Sequence, residues 1–119
     1  MYTYKFTPTE VIDGVTIDGI IDLGFSVSLN YRVRLLDVAA PDLYSKDSNE
    51  RKAAHKAKQY LESVLDDYIH NMSPVIIETV RNGNRYGRIL SRVFIKDINI
   101  IDEMLQKKLI IPYGHSWSN

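Results

Sequence analysis

The stretch Arg34-Leu35-Leu36-Asp37-Val38-Ala39-Ala40-Pro41-Asp42 reads as the end of a buried strand running into a sharp exit. Leu35, Leu36 and Val38 are apolar residues of the kind that pack on a pleated surface. Pro41 has no N–H and cannot continue a central ladder, so the strand stops before it. Arg34 lies inside that strand. A guanidinium there either pairs with a carboxylate or is free to take a phosphate.

Upstream, the pattern is a meander. Met1 to Asp13 reads as a first strand, with Thr7-Pro8-Thr9 as an irregularity near an edge. Asp13-Gly14 signals a turn, and the β-branched run Val15 to Ile21 is a second strand. Leu23-Gly24 supplies the next reversal. From Phe25 to Val38 the residues alternate, with Phe25, Val27, Leu29, Tyr31, Val33 and Leu35 on one face.

Downstream, Asp42 to Asn49 is a polar loop, and Asp47 with Glu50 has capping-box spacing. A helix follows to about His70. Its buried stripe is Ala53, Ala54, Ala57, Tyr60, Leu61, Val64, Leu65 and Tyr68, with Lys52, Lys56 and Lys58 off it. Val75 to Val80 is a fourth strand, Asn82-Gly83 a hairpin signal, and Arg88 to Ile95 a fifth strand. A turn at Lys96-Asp97 leads to a short helix starting at Asn99 or Asp102, then to the apolar segment Leu109-Ile110-Ile111-Pro112-Tyr113.

Five strands with a helix between the third and fourth fit a five-stranded Greek-key barrel, the oligonucleotide/oligosaccharide-binding (OB) fold, a mainly β architecture with helices. The 119 residues suffice for one domain, 1–119. Fifteen Lys and Arg balance fifteen Asp and Glu, which argues against holding nucleic acid by bulk charge. A local basic face stays open. The absence of cysteine excludes disulfides and thiolate metal sites. His55, His70 and His115 show no metal-ligand spacing. Met1 to Phe6 has no apolar signal region, and no run is long enough to span a bilayer, so a cytoplasmic protein without membrane attachment is expected.

Three motifs carry a family resemblance: Val11-Ile12-Asp13-Gly14, the stretch Arg34 to Asp42, and Arg85-Tyr86-Gly87-Arg88. Together they resemble the staphylococcal (thermonuclease-like) nucleases over nearly the whole chain. Asp22-Leu23-Gly24-Phe25 resembles the small bacterial and phage-type members, whose second and third strands are longer. The resemblance implies the OB-fold barrel and, in active relatives, phosphodiester hydrolysis around one calcium ion. Two Asp hold the ion, a Glu positions the attacking water, and two Arg stabilise the developing charge.

Carried over residue by residue, both arginines are kept, as Arg34 and Arg88. The water-positioning Glu is Asp42, one methylene shorter. The two metal-holding positions are Val15 and Ala39, so hydrocarbon stands where carboxylates would be. Arg85, Tyr86 and Tyr113 match positions that contact the nucleotide. A hard cation needs carboxylate oxygens, so no cofactor is expected, and calcium only if the metal site works unexpectedly. Asp13 and Asp37 each lie two residues before a lost ligand, on the same strand face about 6–7 Å away, and offer a weak shifted site. Alternatively, Asp37 is a partner for Arg32 or Arg34, and Asp42 neutralises the two arginines.

The favoured expectation is a catalytically degenerate nuclease-like domain that binds single-stranded DNA or RNA, or a protein partner, through the former active-site cleft. The alternatives are an active metal-dependent phosphodiesterase with a rearranged site, and a structural or assembly protein. Whether the chain is an enzyme stays open, leaning to no.

Overall fold

The computed structural model describes residues 2–71, 73–85 and 88–115, without the side chains of 67–71 and 81–85. Strands β1 (Tyr2–Asp13), β2 (Thr16–Gly24) and β3 (Val27–Leu35) form the meander, and a short β4 (Val38–Ala39) follows. Helix α1 (Ser48–Asn71) comes next, then β5 (Val75–Arg85), β6 (Arg88–Ile95), β7 (Ile98–Asn99), helix α2 (Ile100–Gln106) and β8 (Ile111–Pro112). The sheet order is β3-β2-β1-β5-β6-β7, and a parallel pairing of β3 with β6 closes five long strands into the expected barrel. Among the described residues, no helix is long and apolar enough to cross a membrane.

The core is aliphatic. Phe6, Ile17, Ile21, Val33, Leu35, Val75, Ile77 and Val93 line the barrel, and Leu61 of α1 and Met104 of α2 plug it. Ala54, Ala57, Leu61 and Leu65 are the buried stripe of α1, with Tyr60 and Val64 half-buried beside it. The Tyr68 side chain lies outside the described residues. Gly14, in the β1–β2 turn, is required by this packing: a Cβ there would come within 2.8 Å of the Ala57 Cβ and 3.0 Å of the Ala40 Cβ. The small pair Gly14 and Ala57 thus lets α1 press against the turn.

Local chemistry sets the ends of the elements. The Pro8 irregularity is a register shift between Pro8 and Glu10 in the β1–β2 pairing. Asp47 caps α1 by accepting from the Asn49 N–H at 3.0 Å. The reciprocal half of the capping box does not form, because Glu50 Oε2 accepts instead from the Asp42 N–H at 2.9 Å. Asn99 caps α2, accepting from the Ile101 and Asp102 N–H groups. At the other end of α2, Lys108 takes φ 59°, while Leu109 N–H bonds the Met104 carbonyl and Lys108 N–H the Leu105 carbonyl. This is a Schellman closure that glycine normally makes, and lysine there costs about 1 kcal/mol.

Two expectations need correction. The fourth strand does not turn at Asn82-Gly83: β5 runs through them to Arg85, which pairs with Arg88. The register shifts between Thr79 and Asn84, so Val80 to Gly83 face Leu90 alone. A bulge, not a turn, absorbs the Asn-Gly pair. The run from Phe25 to Val38 is also not one strand. Phe25 and Ser26 (φ 54° and 64°) make the reversal, and Asp37 (φ 59°) breaks β3 from β4.

Candidate functional site

The exit from β3 builds one wall of a cleft of roughly 360 Å³. Arg34 comes from β3, and Arg88 from the first position of β6, which runs parallel beside it. Ile12, Asp13, Val15 and Thr16 come from the β1–β2 turn. Ala39 to Tyr44 form the far side. The short β4 holds that side in place by pairing with β8, Val38 against Pro112 and Ala39 against Ile111. The terminal apolar segment therefore buttresses the cleft from behind.

Both arginines reach this cleft. Arg34 is half-buried and donates from Nη1 to the Leu35 carbonyl at 2.7 Å. Among the described residues the ion pairs are Arg32–Asp18 at 2.7 Å and Arg92–Glu78 at 3.0 Å, so neither Arg34 nor Arg88 has a carboxylate partner. Burial lowers the Arg34 pKa from its ordinary value; Asp13 raises it, and the Arg88 charge lowers it further. The two cations thus lie close enough to repel each other.

The acids are drawn elsewhere. Asp13 Oδ1 accepts from the Val15 N–H at 2.8 Å. Asp42 Oδ1 accepts from the Tyr44 N–H at 2.9 Å. Each is an aspartate folded onto the backbone two residues ahead, the local bond this side chain makes most readily. Asp37 sits in the exposed turn after Leu36, does not line the cleft, and among the described residues takes no part in an ion pair; Arg32 pairs with Asp18 instead. The hydrogen bond from Arg32 is the main reason the Asp18 pKa is lowered.

The residues do not fit a calcium ion. Val15 and Ala39 both line the cleft and present methyl groups there. Asp13 and Asp42 each have one oxygen committed to a backbone N–H. Among the described residues, no three His, Cys, Asp or Glu side chains are grouped to hold a metal. Calcium takes six to eight oxygens in its usual sites.

The remaining nucleotide-contact candidates are less well gathered. Tyr113 is 73% exposed, donates its backbone N–H to the Asp37 carbonyl at 2.8 Å, and is near enough to Arg34 to act on its protonation. The Arg85 side chain and Tyr86 lie outside the described residues, as does the His70 side chain. Sequence reasoning missed Tyr44. It is 89% exposed and lines the cleft, and its only signal was a single aromatic in an otherwise polar loop.

A model of the staphylococcal nuclease homologue family matches residues 32–114, the segment that supplies Arg34, Asp42 and Arg88. The chain belongs to that family. No curated protein matches it. The family match runs from Arg32, in the second half of β3, through β8, so the strand exit, the helix and the closing segment all belong to the shared nuclease-like domain.

Proposed function

We propose that this nuclease-family domain holds the phosphate backbone of single-stranded nucleic acid in the Arg34–Arg88 cleft, without a metal ion and without cutting it. The observation that carries the reading is two arginines in one cleft with no carboxylate partner among the described residues. Burial and mutual repulsion both disfavour the Arg34 charge, and a bound anion relieves the second of these costs. Each guanidinium offers a planar fork that matches a phosphate. The exposed Tyr44 ring at the rim supplies a face for a base to stack on, an interaction worth about 1–3 kcal/mol per base.

Hydrolysis by the family route needs a cation and a positioned base. The cleft wall is hydrocarbon at Val15 and Ala39, and Asp42 is engaged with the Tyr44 N–H. With no net charge on the chain, affinity is modest and rests on these two cations. The expected salt dependence is shallow, a log–log slope of about −1.4, at ~0.7 per phosphate neutralised.

Titration of a fluorescent single-stranded oligonucleotide, in calcium and again in chelator, tests this. The affinity should be equal in both and the oligonucleotide should stay intact. Arg34→Ala and Arg88→Ala should each weaken binding about tenfold or more. Cleavage switched on by calcium, magnesium or manganese would establish the active phosphodiesterase instead. No binding at low salt would remove the nucleic-acid reading and leave a protein partner for the cleft.

A further inference from the structure

At the end of β3 away from the cleft, the β2–β3 ribbon leaves the barrel. β6 borders β3 only from Arg32 to Leu35. From Val27 to Asn30, β3 has β2 on one side and no strand on the other among the described residues. Every residue from Asp22 to Asn30 is exposed. They include Leu23 at 41%, Phe25 at 100%, Val27 at 52% and Leu29 at 39%.

Two features set this edge apart. From Leu23 to Tyr31 there is neither a charged residue nor a proline. Exposed edges are ordinarily blunted by lysine, proline or a covering loop, and an uncharged alternating strand is the type that pairs with another. The second feature is Phe25. It combines full exposure with φ 54°, a left-handed conformation that a bulky side chain rarely adopts. The monomer bears the strain and the exposure together, with no contact inside the fold to offset either.

We infer that β3 pairs antiparallel with β3 of a second copy about a twofold axis near Leu29, joining two barrels through one continuous sheet. In that register Leu29 faces its own copy, and Ser28 faces Asn30, so apolar residues meet on one face and small polar residues on the other. The charges agree with this partner. A strand without ionised groups leaves nothing unpaired against its own copy, whereas a charged strand would set a bare charge beside Val27 and Leu29. Of the flanking charges, Asp22 lies opposite Ser28 on the inner strand β2, and Arg32 is already neutralised by Asp18 within one chain. The exposed apolar side chains offer about 400 Å² per copy, half the ~800 Å² per partner of a standard stable interface, so the dimer is weak and concentration-dependent. The cleft lies beyond the other end of β3, so pairing leaves both clefts open and stands apart from the proposed nucleic-acid binding.

Sedimentation velocity from micromolar to millimolar protein tests the pairing. A dimer should grow in with concentration, and Leu29→Lys, which sets like charges across the axis, should weaken it about tenfold or more with an unchanged circular-dichroism spectrum. The chain has no cysteine, so introduced ones report alone. Leu29→Cys should oxidise to a covalent dimer, because directly opposed strand residues lie within disulfide reach. Lys56→Cys, on the exposed face of α1, should not. A chain that stays monomeric at millimolar concentration overturns the inference. So does a dimer that Leu29→Lys leaves intact, or equal cross-linking at both cysteines.

Discussion

The two halves of β3 carry the same alternation and meet opposite fates. From Arg32 to Leu35 the strand lies between β2 and β6; Val33 and Leu35 are fully buried, and Arg34 turns to the cleft. From Val27 to Asn30 the apolar positions continue in phase, but β6 has not yet begun, and the same kind of side chain stands in water. Periodicity identifies a strand and its faces. What covers a face depends on where another strand starts.

Burial should separate the halves most sharply. Leu35→Ala should cost about 2–5 kcal/mol in chemical denaturation, by lost transfer energy and the cavity left behind. Val27→Ala, measured at dilute protein, should cost under about 0.5 kcal/mol. Equal costs would mean that the ribbon is packed like the barrel.

The boundary between the halves falls at the Gly19–Tyr31 pair. A Cβ at Gly19 would lie 2.5 Å from both the Phe6 ring and the Thr7 carbonyl oxygen. Gly19→Ala should therefore destabilise by about 1–3 kcal/mol, because backbone and a core ring must both give way. A neutral result would show that the ribbon hinges freely where it leaves the barrel.

Inside the enclosed half, Ser91 of β6 pairs with Leu35, and its Oγ is buried with no hydrogen-bond partner among the described residues. Ser91→Ala should stabilise the fold by about 1 kcal/mol, by removing a desolvated hydroxyl. A loss of stability would mean that a buried water serves that hydroxyl.

The smallest effect belongs to Arg32, where the enclosed half begins. Its bond to Asp18 lowers that carboxyl's pKa. A depressed aspartate pKa adds stability above the unfolded value, and that stability is lost as pH falls through the folded value. The pair is well exposed, so screening holds its worth below about 1 kcal/mol. Arg32→Ala should raise the Asp18 pKa, read by NMR titration, and reduce the acid dependence of stability below the ordinary aspartate range.

Much of this architecture was legible in the residues. Pro41, Gly14 and the β-branched run to Ile21 mark the meander, and the Ala-rich stripe marks α1. The arginines of the cleft were legible through the family motifs. Other features depend on competition that spacing does not reveal. Asn82-Gly83 has the chemistry of a hairpin turn, yet strand pairing continues to Arg85 against Arg88, and the pair is absorbed in a bulge. Asp42 looked like a partner for Arg34, but a backbone N–H two residues away is a nearer target than a guanidinium across a cleft. Glu50 likewise leaves its own capping box for the Asp42 N–H. Among the described residues, these local bonds leave the two cleft arginines without a carboxylate in ion-pair contact.

On the proposed reading, the cleft receives an anion, and its hydrocarbon wall at Val15 and Ala39 offers a cation nothing. Isothermal titration of calcium into the protein tests it most directly. No saturable heat should appear at millimolar calcium, and Val15→Asp combined with Ala39→Asp should introduce a calcium-dependent signal. Micromolar, stoichiometric calcium binding by the unaltered chain would contradict it.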